Sequence, residues 1–431
     1  MQSDKNDLLK IRKLKVKNFR CFEEREFEFD DEFTVLIGGN GAGKTAVLDA
    51  LAKCLALAMA ETHVEHGGAY VGVPDVRRET IPTEPMSQME PRYPVELGIT
   101  AVTEGCVTSL RETLMAADAP IDGTRGGLAL FQRTGGGEAL LPLVAYYGEA
   151  RYSASRSGTA DGFVGQQPRT HGYVGCLASA ASTQYMLRWM KQVEVVRLQE
   201  EKEVPALDMV KAAIKACVPE LRDLRYRVRD DELTVDLAGG RTLPFRMLPS
   251  GRRSVLAMVA DMVWRCSFLN PPLGADAARE TPGVVLIDEI DLHLHPKWQQ
   301  TIVDDLRRTF PKVQFIATTH SPFIIQSLRE GELLALDGAT GEDYFGRGVE
   351  DIAELVMAVP QAHRSKRYVE MMAAARDYYR YLEQAEGGDP AKRQELKAKL
   401  DGILEQFSDN PAYVAFLEMK RAAAGLGDGK E

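Results

Sequence analysis

The segment Gly38-Gly39-Asn40-Gly41-Ala42-Gly43-Lys44-Thr45 constrains the fold more than any other part of the sequence, because it matches G-x-x-x-x-G-K-[ST] at every position. Glycines at this spacing let successive backbone N–H groups converge on phosphate oxygens, and a following helix adds the positive end of its dipole. The run Phe33–Ile37 predicts a buried strand before the motif, and Ala46–Ala60 predicts a core helix after it. Strand, loop and helix together indicate a phosphate-binding loop.

The lysine and the hydroxyl group of this motif have separate expected roles. Lys44 is expected to reach the β- and γ-phosphates of ATP, and Thr45 is expected to ligate Mg²⁺. The alternative is a glycine-rich turn that carries a Lys-Thr pair by chance. The predicted nucleotide-binding residues of the loop are Gly38, Gly39, Asn40, Gly41, Ala42, Gly43, Lys44, Thr45 and Ala46.

A second acidic segment complements the loop. Four apolar residues, Val284–Ile287, predict a buried strand that delivers Asp288 and Glu289 to its end. Asp288 is expected to hold the Mg²⁺ shell, and Glu289 is the natural general base for a water molecule that attacks the γ-phosphate. Alone, an acidic pair after a strand would be read as a solvated strand end; beside a phosphate loop, it predicts ATP hydrolysis.

Composition and charge limit the ligands and the cellular compartment that can be expected for this chain. The 431 residues carry a formal net charge of -10, whereas a chain that grips DNA by itself usually shows a basic balance. Six scattered cysteines without a C-x-x-C pair disfavour disulfides and a thiolate zinc site. The polar start and the lack of a long apolar run predict a cytoplasmic protein without a membrane segment.

Two further segments bring in a family resemblance. Asp291-Leu292-His293-Leu294-His295-Pro296 follows the acidic pair, and Thr318-Thr319-His320-Ser321-Pro322 lies downstream. With the first motifs they resemble an ABC-type ATPase head of the SMC/RecF/OLD group. The resemblance implies that the segment from Asp291 crosses to a second subunit, that His320 senses the γ-phosphate, and that Arg20 reaches the nucleotide. His293 and His295 also form an H-x-H pair, but no third zinc ligand is evident.

An ABC-type head also requires a signature loop that contacts the γ-phosphate on the opposite subunit. Leu248-Pro249-Ser250-Gly251-Arg252-Arg253 is the candidate, and it departs from L-S-G-G-Q. Pro249 replaces the serine expected to touch phosphate, and Arg252 replaces the glutamine. Ser250 and Gly251 are the predicted contacts to the other subunit. The departure from the L-S-G-G-Q pattern weakens the case for fast ATP hydrolysis more than the case for ATP binding. A simple turn before a helix is the alternative.

A narrower resemblance extends along most of the chain. Tyr146-Tyr147-Gly148-Glu149-Ala150-Arg151, Gly175-Cys176-Leu177 and Phe407–Tyr413 resemble the compact "AAA family" ATPases of Septu-type and retron-associated anti-phage systems. The resemblance implies a homodimer or higher homo-oligomer that controls an HNH-type nuclease. Whether that complex also binds nucleic acid stays open. Arg151 is open between a nucleotide contact and a structural ion pair.

These observations predict an α/β fold, with an ABC-type ATPase head built on a mixed sheet that has a parallel core and an antiparallel β-subdomain. The head is expected over residues 1–350, with β-rich and helical insertions at about 61–245. A helical C-terminal region, 351–431, is the candidate docking surface for a partner, or else a solvated appendage. Two other functions stay open: a RecF-like DNA repair ATPase that acts directly on DNA, and an ATP-sensing scaffold with little turnover.

Overall fold

The computed structural model describes residues 9–68, 70–82, 88–103, 106–119, 122–123, 139–149, 168–178, 182–200, 205–217, 221–337, 344–357, 359, 366–385, 398, 401–402, 405 and 411–423. The chain divides into two compact units, Met1–Ala358 and Val359–Glu431. In the described part of the chain, no helix is long and apolar enough to cross a bilayer.

The strands are β1 Lys10–Phe19, β2 Phe22–Glu28, β3 Phe33–Ile37, β4 Arg78–Ile81, β5 Gln88–Pro91, β6 Val95–Thr103, β7 Cys106–Leu114, β8 Asp122–Gly123, β9 Leu143–Tyr147, β10 Leu221–Arg227, β11 Glu232–Leu237, β12 Arg241–Pro244, β13 Gly283–Ile287, β14 Val313–Thr318 and β15 Leu333–Ala335. The α-helices are α1 Lys44–Ala58, α2 Ser182–Glu200, α3 Pro205–Cys217, α4 Ser250–Leu269, α5 Ala277–Glu280, α6 Pro296–Gln299, α7 Ile302–Thr309, α8 Pro322–Gln326, α9 Val349–Asp351, α10 Lys366–Ala385 and α11 Pro411–Ala423.

Five parallel strands form the central sheet of the first unit, in the spatial order β15-β3-β14-β13-β9. Every residue of β3, β9, β13 and β14 is buried, as expected for apolar parallel strands that are covered on both faces. Because the carboxyl ends of parallel strands meet at one edge, the loops that follow β3, β9, β13, β14 and β15 come together there. This edge carries the predicted site.

An antiparallel sheet, in the order β2-β1-β6-β7-β8, forms the predicted β-subdomain. Its strand β6 alternates between buried and half-buried residues, the pattern of a sheet with one face on the core. Strands β1 and β2 pair antiparallel, with Leu14 opposite Phe27 and Phe19 opposite Phe22. The α/β fold class with a parallel core and an antiparallel subdomain is therefore confirmed.

The helix after the phosphate loop begins two residues earlier than the apolar pattern indicated, at Lys44 rather than Ala46, and it ends at Ala58. Its side chains are buried at most positions, because the helix packs between the two sheets. The apolar pattern missed the first turn because that turn presents a lysine and a threonine to the glycine loop.

A polar network lies inside the first unit and joins α4 to β9. Arg265 and Asp261, both on α4, form an ion pair of 2.8 Å and are 1% and 0% exposed. The Tyr147 hydroxyl donates to Asp261 at 2.8 Å, and Arg265 also donates to the carbonyls of Gly172 and Val174. These hydrogen bonds offset part of the cost of burying the charge pair, although Asp261 Oδ1 has no hydrogen-bond partner among the described residues. The network therefore ties the long helix to the strand next to β13.

The second unit, described by itself, contains the two helices α10 and α11. The Tyr413 hydroxyl donates to the Met371 carbonyl at 2.6 Å, and Tyr378 and Leu417 are fully buried. Large apolar side chains of these helices are exposed, among them Phe416 at 45% and Met419 at 60%.

Candidate nucleotide-binding site

Glycines of the loop after β3 have conformations that other residues rarely adopt. Gly41 and Gly43 have φ angles of 86° and 99°, in the left-handed region. A Cβ atom on Gly43 would lie 2.5 Å from the Phe22 ring and 2.6 Å from the Cys21 sulfur. The position therefore excludes larger residues for two reasons, backbone conformation and space. The loop closes directly onto the N-terminus of α1, where helix amides can meet an anion.

The Lys44 side chain contacts the backbone of the glycine loop. Its ammonium group donates to the carbonyls of Gly38 at 2.7 Å and Gly39 at 3.2 Å. Burial lowers the pKa of Lys44, and carboxylates around the site, led by Asp337, oppose that change. The ammonium group is thus held at the loop, where it can exchange its hydrogen bonds to carbonyls for hydrogen bonds to phosphate oxygens.

Thr45 and Asp288 are 243 residues apart in the sequence, and the fold brings them into contact. The Thr45 hydroxyl donates to Asp288 Oδ2 at 2.9 Å, and the Thr318 hydroxyl donates to Asp288 Oδ1 at 2.6 Å. The Glu289 amide donates to the Thr318 hydroxyl at 2.7 Å. A hydroxyl and a buried carboxylate supply the hard oxygen ligands that Mg²⁺ prefers, so these residues fit that ion. Thr318 is not among the predicted site residues, although this threonine opens the motif that contains His320.

Glu289 follows Asp288 at the carboxyl end of β13 and is half-buried, with a φ angle of 49°. Burial raises the pKa of Glu289, and the nearby carboxylates of Glu149, Asp288 and Asp291 raise it further. The register of β9 against β13 explains the presence of Glu149, since Tyr147 pairs with Ile287 and each acidic residue lies two positions further on. In the sequence, Glu149 is part of the Tyr146–Arg151 motif, and no role is predicted for it.

Asp291 is predicted to contact a second subunit, and it also has contacts within its own chain. Its carboxylate accepts the Thr319 hydroxyl at 2.5 Å and the His320 amide at 3.4 Å. The segment after Glu289 is thereby fixed to the loop after β14. His320 itself is exposed at the edge of the site.

These groups surround a cavity of about 350 Å³. Arg20 lines it, and its guanidinium group pairs with Asp49 at 2.5 Å and Asp75 at 3.1 Å. Gly38, Gly39 and Ala42 shape the loop without lining the cavity. The lining residues are Arg20, Cys21, Asn40, Gly41, Gly43, Lys44, Thr45, Ala46, Asp288, Glu289 and His320.

The signature-loop residues lie elsewhere, around a second cavity of about 400 Å³ that shares no residue with the first among those described. Gly251 packs so closely on the segment after Glu289 that a Cβ atom there would lie 2.1 Å from the His293 carbonyl oxygen. Ser250 is exposed at the start of α4. The lining residues are Pro249, Ser250, Gly251, Arg252, His293, His295, Lys297 and Trp298.

Asp337 is a residue of the site that sequence reasoning missed. It follows β15, and its Oδ2 atom accepts the Gly39 amide of the phosphate loop at 2.5 Å. No motif marked it, because its place depends only on β15 lying beside β3. The prediction for Arg151 lies outside the described residues.

Two family models match the chain. An "AAA ATPase domain" matches residues 9–67, which include the glycine loop. An "AAA domain, putative AbiEii toxin, Type IV TA system" matches residues 206–326, which include Asp288, Glu289 and His320. The matched regions thus contain both halves of the first cavity.

Among curated relatives, the "Retron Vc95 probable ATPase" of Vibrio cholerae is 22% identical over 76% of this chain and 73% of that protein. The "Septu protein PtuA" of Bacillus thuringiensis is 33% identical over 29% of this chain and 35% of that protein. This chain resembles retron and Septu ATPases. The SMC head domain of Thermotoga maritima aligns over 76% of this chain and 94% of its own, with 13% identity and a TM-score of 0.41.

Proposed function

We propose that this chain is an ATP-binding and ATP-hydrolysing regulatory subunit of an anti-phage defence complex, and that nucleotide-dependent dimerisation controls an associated HNH-type nuclease. The observation that carries the ATPase proposal is the contact of Thr45 with Asp288, beside Glu289 and the glycine loop. The similarity to a retron probable ATPase and to Septu PtuA supports the setting.

In the proposed reaction, the chain's residues position and stabilise rather than form covalent bonds. Lys44 and the loop amides hold the phosphates, and Thr45 with Asp288 would hold Mg²⁺, which offsets phosphate charge. Glu289 accepts the proton of the attacking water at its carboxylate. His320 contacts the terminal phosphate from the edge of the cavity.

The arrangement of the two cavities supports a dimer. Ser250 and Gly251 lie at the second cavity, and in one chain they do not reach the first. In a two-fold symmetric pair each copy would present its second cavity to the other's nucleotide, giving two composite sites.

Replacement of the proposed base tests hydrolysis. Glu289→Gln keeps the shape of the side chain but cannot accept a proton, so ATP binding is retained while turnover falls at least ~10²-fold. A fluorescent ATP analogue measures binding, and phosphate release measures turnover. Turnover in Glu289→Gln close to that of the unaltered chain contradicts the assignment.

The helical C-terminal region, 351–431, is the proposed docking surface for the nuclease. Within it, α10 exposes Tyr368 and Met372 four residues apart, and α11 exposes Phe416 and Met419 three residues apart. This spacing places each pair on one face of its helix, and such apolar faces are common at protein interfaces. The proposed domain organisation keeps the ATPase head within residues 1–350.

Capture of partners from the native host tests the complex. Tagged Glu289→Gln should retain an HNH-type nuclease in stoichiometric amount, and the Met372→Glu/Phe416→Glu variant should lose that nuclease while retaining ATPase activity. Capture of DNA without a protein partner supports a DNA repair ATPase instead. Tight ATP-dependent dimerisation with negligible turnover supports an ATP-sensing scaffold, which the proline at position 249 of the signature loop favours.

A further inference from the structure

A carboxylate contacts the first two residues of the glycine loop. Asp337 Oδ2 accepts the Gly39 amide at 2.5 Å. A Cβ atom on Gly38 would lie 3.4 Å from Asp337 Oδ1, so both carboxylate oxygens lie close to the loop. Backbone amides of such a loop donate to phosphate oxygens when a nucleotide binds. Asp337 therefore holds a negatively charged oxygen at an amide that is a predicted nucleotide contact.

The backbone that carries Asp337 is fixed from two sides. Ala335 of β15 pairs with Ile37 of β3, and the Leu336 amide donates to the Ile37 carbonyl at 3.0 Å. Arg25 of β2 donates to the Leu336 carbonyl at 2.5 Å. The Asp337 side chain itself is exposed. It can therefore leave the loop by rotation about its own bonds, without displacement of the strand.

The negative charge of Asp337 is not matched by a salt bridge to any residue within the described ranges. Asp49 and Asp75, in contrast, are both paired with Arg20. Burial lowers the pKa of Lys44, and Asp337 is first among the carboxylates that oppose this change. Its charge thus acts on the ammonium group that is expected to reach the β- and γ-phosphates. A phosphate beside that ammonium group would be repelled by Asp337.

Two other roles for Asp337 lead to different expectations. A residue that only supports the loop needs an acceptor for the Gly39 amide, and an uncharged amide oxygen would be sufficient. A metal ligand would lie with Thr45 and Asp288, but Asp337 is not among the residues that line the first cavity. An unmatched charge that faces a phosphate-binding loop favours an effect on the nucleotide instead.

We propose that Asp337 competes with the terminal phosphate of ATP for the start of the glycine loop, and thereby determines the affinity of the site for ATP relative to ADP. This inference rests on the proposed function and names a residue that determines its nucleotide preference. A phosphate oxygen and the Asp337 carboxylate compete for the same Gly39 amide, and like charges repel. The side chain therefore rotates away when ATP binds, whereas ADP, which lacks the terminal phosphate, leaves it in place.

Removal of the charge tests the competition. Asp337→Asn keeps an oxygen that can accept the Gly39 amide. In a Glu289→Gln background, where hydrolysis is slow, the affinity for Mg-ATP should rise about tenfold and that for Mg-ADP less than about twofold. Equal gains for ATP and ADP, or no gain for ATP, overturn the proposal.

Glu330→Gln in the same background is the matched control, because it removes the same charge from the protein. Glu330 is exposed and precedes β15, so it lies at the opposite edge of the parallel sheet from the site. Its ATP affinity should equal that of the background. A gain in Glu330→Gln as large as in Asp337→Asn would reflect net charge alone and contradict a local role for Asp337.

Ionic strength separates a charge effect from altered loop geometry. The ratio of the ATP affinities of Asp337→Asn and its background should fall from about tenfold at about 0.05 M salt to less than about threefold at about 1 M, where the Debye length is about 3 Å. A ratio that is independent of salt overturns the proposal. Weaker ATP binding in Asp337→Ala with unchanged binding in Asp337→Asn identifies loop support instead. A raised Mg²⁺ requirement in Asp337→Asn identifies a metal ligand, and it also overturns the proposal.

A crystal structure of the Glu289→Gln chain with ATP and Mg²⁺ provides the direct observation. A phosphate oxygen should accept the Gly39 amide, and the Asp337 carboxylate should lie beyond hydrogen-bond distance of it. Asp337 still bonded to Gly39 beside bound ATP refutes the competition while leaving the ATPase assignment intact. If neither Glu289→Gln nor the unaltered chain binds ATP in solution, the proposed function itself fails, and this inference fails with it.

Discussion

The contact between Gly251 and the His293 carbonyl allows a quantitative test of how the two cavities are connected. A Cβ atom added at Gly251 would lie 2.1 Å from that oxygen, and real Cβ atoms essentially never approach closer than 3.0 Å. In Gly251→Ala the two backbones must therefore separate by about 0.9 Å. Both contacting groups are backbone, so no flexible side chain can absorb this shift.

The expected result separates binding from turnover. The glycine loop and Asp288 lie in the first cavity and do not contact Gly251, so affinity for ATP in the monomer should change less than about twofold. A misplacement of about 1 Å in a catalytic arrangement can cost ~10²-fold in rate, and turnover should fall by about that factor. ATP-dependent dimerisation of a Glu289→Gln background, measured by light scattering, should weaken in parallel.

A matched glycine provides the control. Gly348 also has an ordinary φ angle, -71°, but a Cβ atom there would lie 3.8 Å from its nearest neighbour, the Asp351 carboxylate. Gly348→Ala should retain full turnover. The reasoning is refuted if Gly251→Ala, with an unchanged melting temperature, hydrolyses ATP as fast as Gly348→Ala.

Three further changes test the site and its support. Thr318→Val removes the hydroxyl that holds Asp288, so the Mg²⁺ concentration for half-maximal ATPase activity should rise ~10-fold; an unchanged requirement contradicts this role. Arg265→Ala leaves Asp261 buried without its cation and should cost about 3–5 kcal/mol in the free energy of unfolding, measured in urea; a cost below about 1 kcal/mol contradicts the buried network. Glu112 is fully buried, and burial raises its pKa, so the charged form destabilises the fold as pH rises through that value. Glu112→Gln should therefore raise the melting temperature at pH 8 and lose this advantage as pH falls toward 4; an equal gain at both pH values contradicts the reasoning.

Local pattern was sufficient wherever the chemistry lies in one short segment. The glycine loop and the acidic pair after β13 could be predicted from spacing alone. The contact of Thr45 with Asp288 could be expected too, since both follow strands that a parallel sheet places at one edge. By contrast, Asp337 reaches Gly39 across 298 positions, and no residue near it marks that contact.

The missed residues share a physical cause. Thr318 and Asp337 act through tertiary neighbours, and their identities, a threonine at a strand end and an aspartate in a loop, are common in any sequence. In the sequence, Arg252 indicates only that the expected glutamine is missing, because comparison with the L-S-G-G-Q pattern does not show what the replacing residue contacts. Its stacking on Trp298 appears only once the fold is known.

The segment from Glu289 to His295 connects the two cavities. Its first residue lies in the first cavity, and its last lies in the second. Between them, Asp291 is hydrogen-bonded to the loop of His320, so a movement of the segment at one cavity is transmitted to the other cavity. If His320 contacts a terminal phosphate in one copy of the proposed dimer, the wall bearing Gly251 shifts in the same copy and changes its fit to the other copy. Occupancy of the two nucleotide sites is then coupled, and the coupling has the same size in both directions. In the proposed complex, a nuclease docked on the dimer would respond to whether both sites hold ATP, and Gly251→Ala should remove that response before it removes binding.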